Sequence, residues 1–189
     1  MKYKDKFRVE TARLPSWDYG VNAPYFVTIC TKNKITFFGN IINNNVELSS
    51  IGKIAQKYWL DIPKHFPFVE LDEFIIMPNH IHGIIVINKP NVETQNIASE
   101  KGTNKSNIET QNIASLHKNK FGPQSQNLAS IVRGFKSGVT MYTKTNNLHF
   151  AWQPRYYDHI IRNYESWENI REYIRQNPKN WLDDDEYKN

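Results

Sequence analysis

The chain has 189 residues, 13% of them aromatic, and 24 Lys and Arg against 19 Asp and Glu, for a formal net charge of +5. That length suits one domain with a real core, and the aromatic share excludes wholesale disorder. The basic balance favours a polyanionic partner, and a single cysteine, Cys30, excludes an internal disulfide framework and suits a reducing cytoplasm.

Residues 1–23 are polar and broken by Pro15 and Gly20; they read as an irregular arm carrying Lys4, Lys6, Arg8 and Arg13. No apolar run follows the charged start, so no signal peptide and no membrane span are expected. Tyr25 to Thr31 is β-branched and aromatic, hence a strand closed by Lys32-Asn33-Lys34. Phe37-Phe38-Gly39 and the Asn-rich run to Asn45 make a short excursion. Ser49 or Ser50 caps a helix to about Ile62, with Ile51, Ile54, Ala55 and Tyr58 at helical spacing and Pro63 ending it.

A strand from Val69 to Met77 leads through Pro78-Asn79 into a second apolar strand, His80 to Ile87. Side chains alternate faces along a strand, so His80 and His82 point the same way, their Cα atoms roughly 7 Å apart. Both can reach one cation; equally, a bare His-x-His can be two half-exposed edge residues.

Residues 91–126 differ in kind. The unit Asn91-Val92-Glu93-Thr94-Gln95-Asn96-Ile97-Ala98-Ser99 recurs at 107–115 and is echoed at Gln126-Asn127-Leu128-Ala129-Ser130. Such a short polar repeat reads as a low-complexity, disordered insertion, not a solenoid. Leu128, Ile131, Val132, Phe135, Val139 and Tyr142 then form one stripe of a helix. Arg133, Lys136 and Lys144 lie off it, either tracking phosphates or forming a solvated face. Phe150 to Ile161 reads as a last strand, interrupted at Gln153-Pro154-Arg155.

The final helix runs from about Tyr164 to Asn177, with Asn163 as N-cap and Pro178 blocking continuation. Trp167, Ile170 and Ile174 make its buried stripe, and Tyr173 and Asn177, four apart, share a neighbouring face. The tail 182–189 is acidic. The domain is therefore expected at 24–181, interrupted at 91–126. The order β, α, β, β, insertion, α, β, α predicts an α+β sandwich of the ferredoxin-like kind, an antiparallel sheet with helices on one face.

A tyrosine hydroxyl can attack phosphorus and form a covalent intermediate, but its reference pKa of about 10 makes it a poor nucleophile near neutrality. A cation held by His80, His82 and the Asn177 amide oxygen would polarise the phosphate and stabilise developing charge. Two imidazoles and an amide leave the cation's charge uncompensated, which favours an anionic phosphodiester, and nitrogen ligands favour Mn²⁺ over Mg²⁺. The bland alternative packs Tyr173 in the core and uses Asn177 as a cap.

These residues also resemble a known family. Met77-Pro78-Asn79-His80-Ile81-His82-Gly83 resembles the HUH motif (His, hydrophobic, His) of single-tyrosine transposases. Arg171-Glu172-Tyr173-Ile174-Arg175-Gln176-Asn177-Pro178 resembles the Tyr-Ile-x-x-Asn-Pro ending of the REP-associated tyrosine transposases. Trp152 to Asn163 resembles the segment before the catalytic helix, and Ser130 to Ser137 the family's second helix. The resemblance spans about residues 7–90 and 124–181 and implies a ferredoxin-like HUH nuclease domain acting on single-stranded DNA. It implies that His80, His82 and Asn177 hold a divalent metal ion, Mg²⁺ or Mn²⁺. Tyr173 would become joined to the 5′ phosphate at the cut, leaving a 3′ hydroxyl that can reverse the reaction on a new strand. Relatives recognise imperfect hairpins and occur as monomers and as homodimers.

Arg155 and Arg162 are phosphate contacts on this reading, though either can pair with Asp158 or Glu165. Tyr156, Tyr157 and Tyr164 are rival nucleophiles, ranked lower because none has an amide ligand four residues on at a helix end. His159 reads as strand filler. Two other readings stand beside the strand transferase: a non-catalytic hairpin-binding module on the same fold, and a structural Zn²⁺ domain, which would want a fourth ligand. Cys30 sits mid-strand with no obvious route to the histidines.

Overall fold

A computed structural model describes residues 2–3, 6–7, 14, 17–90 and 125–183. In chain order the elements are β1 (Lys2–Tyr3), β2 (Lys6–Phe7), β3 (Ala23–Cys30), β4 (Gly39–Ile42), β5 (Asn45–Leu48), α1 (Ser50–Leu60), α2 (Ile62–His65), β6 (Val69–Ile76), β7 (His80–Ile87), α3 (Leu128–Thr145), β8 (Tyr157–Ile160) and α4 (Tyr164–Gln176), closed by a 3₁₀ turn at Trp181–Asp183. Lys4, Arg8 and Arg13 of the expected arm, residues 91–124 of the expected insertion and the tail beyond Asp183 lie outside the described residues. No described helix is long and apolar enough to cross a membrane.

The centre is a four-stranded antiparallel sheet in the order β6-β7-β3-β8. The expected α+β class with an antiparallel sheet is what forms. β7 and β3 are its inner strands, so both of their faces are covered and they read as near-continuous apolar runs. One face carries Tyr25, Val27, Ile29, Ile81 and Ile85 and buries them against α1 and α3 through Trp59, Ile131 and Phe135. The other carries Phe26 and Ile84, buried against Trp167, Ile170 and Ile174 of α4. The expectation of helices on one face therefore holds for α1 and α3 but not for α4, which crosses the opposite face. The cause is the apolar surplus of the inner strands: Phe26 and Ile84 need a cover of their own.

Gly83 is explained by the first of these faces. A Cβ there would lie 2.3 Å from Trp59 Cζ2, so only glycine lets the indole close onto β7. Trp59 is fully buried and meets Phe74 and Phe135 at ring distances of 5.8 and 5.3 Å.

Three local expectations change. The Asn-rich excursion is a β4–β5 hairpin whose tip residues Asn43 and Asn44 have φ of 51° and 60°, the left-handed pair that a tight hairpin turn requires. Pro63 does not stop helical structure; α1 ends at Leu60 and Pro63 sits in the first turn of α2, where a missing N–H is harmless. The expected strand Phe150 to Ile161 shrinks to β8 plus a single bridge from Trp152 to Thr31, because Pro154 and a left-handed Arg155 (φ 70°) break the ladder between them.

Candidate active site

Antiparallel register builds the site. Ile75, His82, Thr28 and Tyr157 are cross-strand partners in one row over β6, β7, β3 and β8, and Ile84, Phe26 and His159 follow in the next. His80 and His82 project from this same face. β7 is an inner strand, so both imidazoles are buried, at 0% and 2% exposure, and their ring centroids lie 4.3 Å apart. The two are not half-exposed edge residues.

Buried polar groups need partners. The Asn79 amide donates from Nδ2 to the Lys34 carbonyl at 3.2 Å, which turns its Oδ1 toward His80 Nδ1 at 2.7 Å. Nδ1 must then carry the proton and donate, leaving the lone pair of the neutral ring on Nε2. Burial pushes His80 down to about 3; Asn177 acts against that shift and the charge of Lys34 adds to it. His80 is thus a neutral imidazole at pH 7, the protonation state a metal ion requires. His82 Nδ1 and Thr28 Oγ1 are hydrogen-bonded at 2.9 Å, which fixes the second ring from the neighbouring strand.

Helix α4 brings the other two residues. Asn163 caps it, accepting from the Ser166 N–H at 2.8 Å, and Asn177 is its C-cap, immediately before Pro178. The Tyr173 hydroxyl and His82 Nε2 are 3.2 Å apart, and the tyrosine ring sets its edge to Phe26 at 6.1 Å. Tyr173 is 47% exposed, so it is not a core tyrosine. Asn177 is 2% exposed, and its Oδ1 is buried without a hydrogen-bond donor among the described residues. Trp181 is stacked on the His80 ring, centroids 6.0 Å apart and planes 28° from parallel.

The donor set fits a divalent cation. The Asn177 amide oxygen lies close enough to the neutral His80 imidazole to raise its proton affinity, and both are buried where water does not compete. No cluster of three or more His, Cys, Asp and Glu with metal-holding geometry occurs among the described residues. The Asn177 amide oxygen is an oxygen donor that such a cluster does not include. Cys30 is nearer than the sequence suggested, since register pairs it with His80, yet it forms no such cluster with the two histidines.

Helix α4 is held to the sheet by a contact that sequence reasoning missed. Register slips between Leu71 and Phe74 in β6, and Asp72 and Glu73 sit at that irregularity. Arg171 Nε donates to Asp72 Oδ2 at 2.9 Å, Trp167 Nε1 donates to the same carboxylate, and Arg175 Nε donates to Glu73 Oε2 at 3.0 Å. Arg171 and Arg175 are one turn apart and bracket Tyr173.

Of the predicted DNA contacts, Arg133, Lys136 and Arg155 line one open groove of about 570 Å³ with Lys144 and Tyr156. That groove runs along α3, which covers the sheet face opposite the histidines. Lys136 already donates to the carbonyls of Gln153 at 2.8 Å and Arg155 at 3.1 Å and lies over the Trp152 ring. Burial pushes it down to about 8. Arg162 stands apart, in a cleft along β8. Of the rival tyrosines, Tyr156 lines the α3 groove, Tyr164 is 76% exposed at the start of α4, and Tyr157 shares the histidine face. His159 is exposed on that face and does not fill the core.

An uncharacterized protein of Haemophilus influenzae is 43% identical to the chain over 184 residues, spanning 93% of the chain and 91% of its own length. No family model matches the chain. Among solved structures, a REP-associated tyrosine transposase bound to a REP hairpin is similar at a TM-score of 0.57 and 17% identity, over 92% of this chain and 74% of that one. A putative transposase from Deinococcus radiodurans gives a TM-score of 0.38 at 12% identity, over 90% and 97% of the two chains. The likeness to the REP-associated transposase is one of fold.

Proposed function

The chain belongs to one family with the uncharacterized Haemophilus influenzae protein and has a fold similar to that of a REP-associated tyrosine transposase; from that premise we propose that it cleaves and rejoins single-stranded DNA through Tyr173. The observation that carries the reading is the meeting of two sequence-distant parts, His80 and His82 on β7 and Tyr173 and Asn177 on α4, with the Tyr173 hydroxyl 3.2 Å from His82 Nε2, His80 beside His82, and the buried Asn177 amide one turn beyond the tyrosine.

Tyr173 Oη attacks the phosphorus of a phosphodiester, a P–O bond to tyrosine forms, and the bond from phosphorus to the 3′ oxygen breaks. The phenolic proton ends on that 3′ oxygen, so one ester is exchanged for another and no ATP is needed. A 3′ hydroxyl attacking the phosphotyrosine reverses the step, on the same strand or a new one. Mg²⁺ or Mn²⁺, held by His80, His82 and Asn177, would neutralise charge on the phosphate oxygens. Without the ion, His82 Nε2 contacts the nucleophile's hydroxyl at 3.2 Å, a contact that binding the ion through Nε2 would replace, and the Asp72–Arg171 and Glu73–Arg175 contacts hold its helix. Tyr173 is half exposed, as a residue that must meet a polymer has to be. Arg133, Lys144 and Arg155 would bear phosphates of a hairpin-forming strand on the far face.

Labelled single-stranded hairpins incubated with Mn²⁺ or Mg²⁺ test the reading on a denaturing gel. The wild type is expected to give a covalent protein–DNA band that Tyr173→Phe abolishes. A tight complex without a covalent band, across varied hairpins and both cations, would overturn it in favour of a hairpin-binding module.

A further inference from the structure

A cleft of about 470 Å³ opens between β8 and the N-terminal half of α4, on the histidine face of the sheet. Phe26 contributes from the sheet, Tyr157 and His159 line it from β8, and Asn169 lines it from α4. Phe26 also ties the cleft to the candidate nucleophile: its ring makes T-shaped contacts with both Tyr157, centroids 6.4 Å apart, and Tyr173, 6.1 Å apart. Whatever fills the cleft therefore lies beside the phosphate presented to Tyr173.

The lining says what that occupant is. Tyr157 is 52% exposed, a large ring left in water on a sheet face where Phe26 and Ile84 are buried. Among the described residues no lysine or arginine lines this cleft, Arg162 lining the adjoining one, and Glu165 does line it, so a phosphate is disfavoured there. An aromatic wall with an imidazole and an amide at its rim suits a flat, uncharged ring that has donors and acceptors along its edge. Every nucleobase has a π-face that can stack on such a ring, and an unpaired base has its edge free to be read.

We infer that this cleft takes one unstacked nucleobase of the single-stranded substrate, next to the phosphate presented to Tyr173, with Tyr157 as the stacking ring and Asn169 as the residue that reads the base edge. The inference rests on the reading of Tyr173 as nucleophile, and it makes β8 and α4 the source of sequence preference at the cut.

The test uses the full chain and oligonucleotides with an imperfect hairpin and 2-aminopurine at successive unpaired positions, read by fluorescence on binding. Covalent adduct formation is followed in parallel. One position is expected to be quenched, with the quench kept in Tyr157→Phe and lost in Tyr157→Ala. An abasic site at that position is expected to weaken wild-type binding about tenfold and to affect Tyr157→Ala little. Asn169→Ala is expected to level the adduct yields among the four bases there. Adduct without any Tyr157-dependent quench sinks the base cleft and leaves the nucleophile standing. A Tyr157-dependent quench without adduct supports the cleft and sinks the catalytic reading. Absence of both overturns the two together.

Discussion

Burial of His80 has a consequence that a thermal melt can read. Its pKa stands near 3 in the fold against an ordinary 6.5, so the unfolded chain takes up the proton first as pH falls. Stability from the neutral ring is complete above about 6.5 and is lost as pH drops from there toward 3. At pH 5 the loss amounts to about 2 kcal/mol. Melts in chelator at pH 7 and pH 5 should show a steeper decline for the wild type than for His80→Phe, which cannot titrate; equal slopes would refute the assignment. A second outcome follows at the same residue: His80→Ala should remove metal-dependent adduct formation while keeping hairpin binding within a few-fold. Loss of both in equal measure would make the histidine structural. The pairing of His80 with His82, and of Tyr173 with Asn177, was legible in the sequence because each is set by local periodicity, two residues on a strand and four on a helix. The partners that orient them were not. Thr28 lies 54 residues from His82, and only the register of β3 against β7 brings them together.

At the scale of elements, the question is what keeps α4 over the histidine face. Apolar burial of Trp167, Ile170 and Ile174 gives adhesion, but it does not by itself fix how the helix is rotated or how far along it sits. The two arginine contacts do. Burial pushes the Asp72 carboxyl up, and the hydrogen bonds from Arg171 and Trp167 outweigh that, holding it below the usual range. Asp72→Asn keeps the volume and removes the charge, so adduct formation is expected to fall by about tenfold while binding of the hairpin is unchanged. A double-mutant cycle of Asp72→Ala with Arg171→Ala should give a coupling of about 1 kcal/mol, since both side chains are partly exposed, at 20% and 28%. Additive effects would show that the clamp does not act as a pair. None of this could be read from the chain, because Asp72 and Glu73 look like ordinary solvent-facing strand residues until the register shift in β6 turns them to the helix. The hairpin β4–β5 is different: in sequence the Asn-rich run reads only as an excursion, although its left-handed tip at Asn43-Asn44 follows from residue type.

For the whole molecule, the two faces of the sheet carry different groups. The histidines, Tyr173 and the cleft lie under α4, and the basic groove runs along α3 on the other side. A strand serving both must pass around an edge of the sheet, and the cleft beside Arg162 on β8 marks one such edge. The segment between β7 and α3 bears on neither face through its ends. Lys89 exchanges hydrogen bonds with the Asn22 side chain, its N–H donating to Oδ1 at 2.8 Å and its carbonyl accepting from Nδ2 at 2.9 Å. The Leu128 N–H donates to the Tyr19 carbonyl at 3.0 Å, and Asn127 caps α3 by accepting from the Ser130 N–H at 2.9 Å. Both ends are thus pinned to the single turn at residues 19–22, so the chain can cross between them without help from what lies in the middle. The repeated polar sequence at 91–126 leads to the expectation of an expendable insertion, which a deletion tests. Deleting residues 93–122 and joining the remainder should leave the melting temperature within a few degrees, because closure cost changes only slowly with loop length. The same deletion should leave the Tyr173 adduct intact. A loss of cooperative melting would mean that the segment packs on the domain, and a loss of adduct with melting unchanged would place it on the DNA.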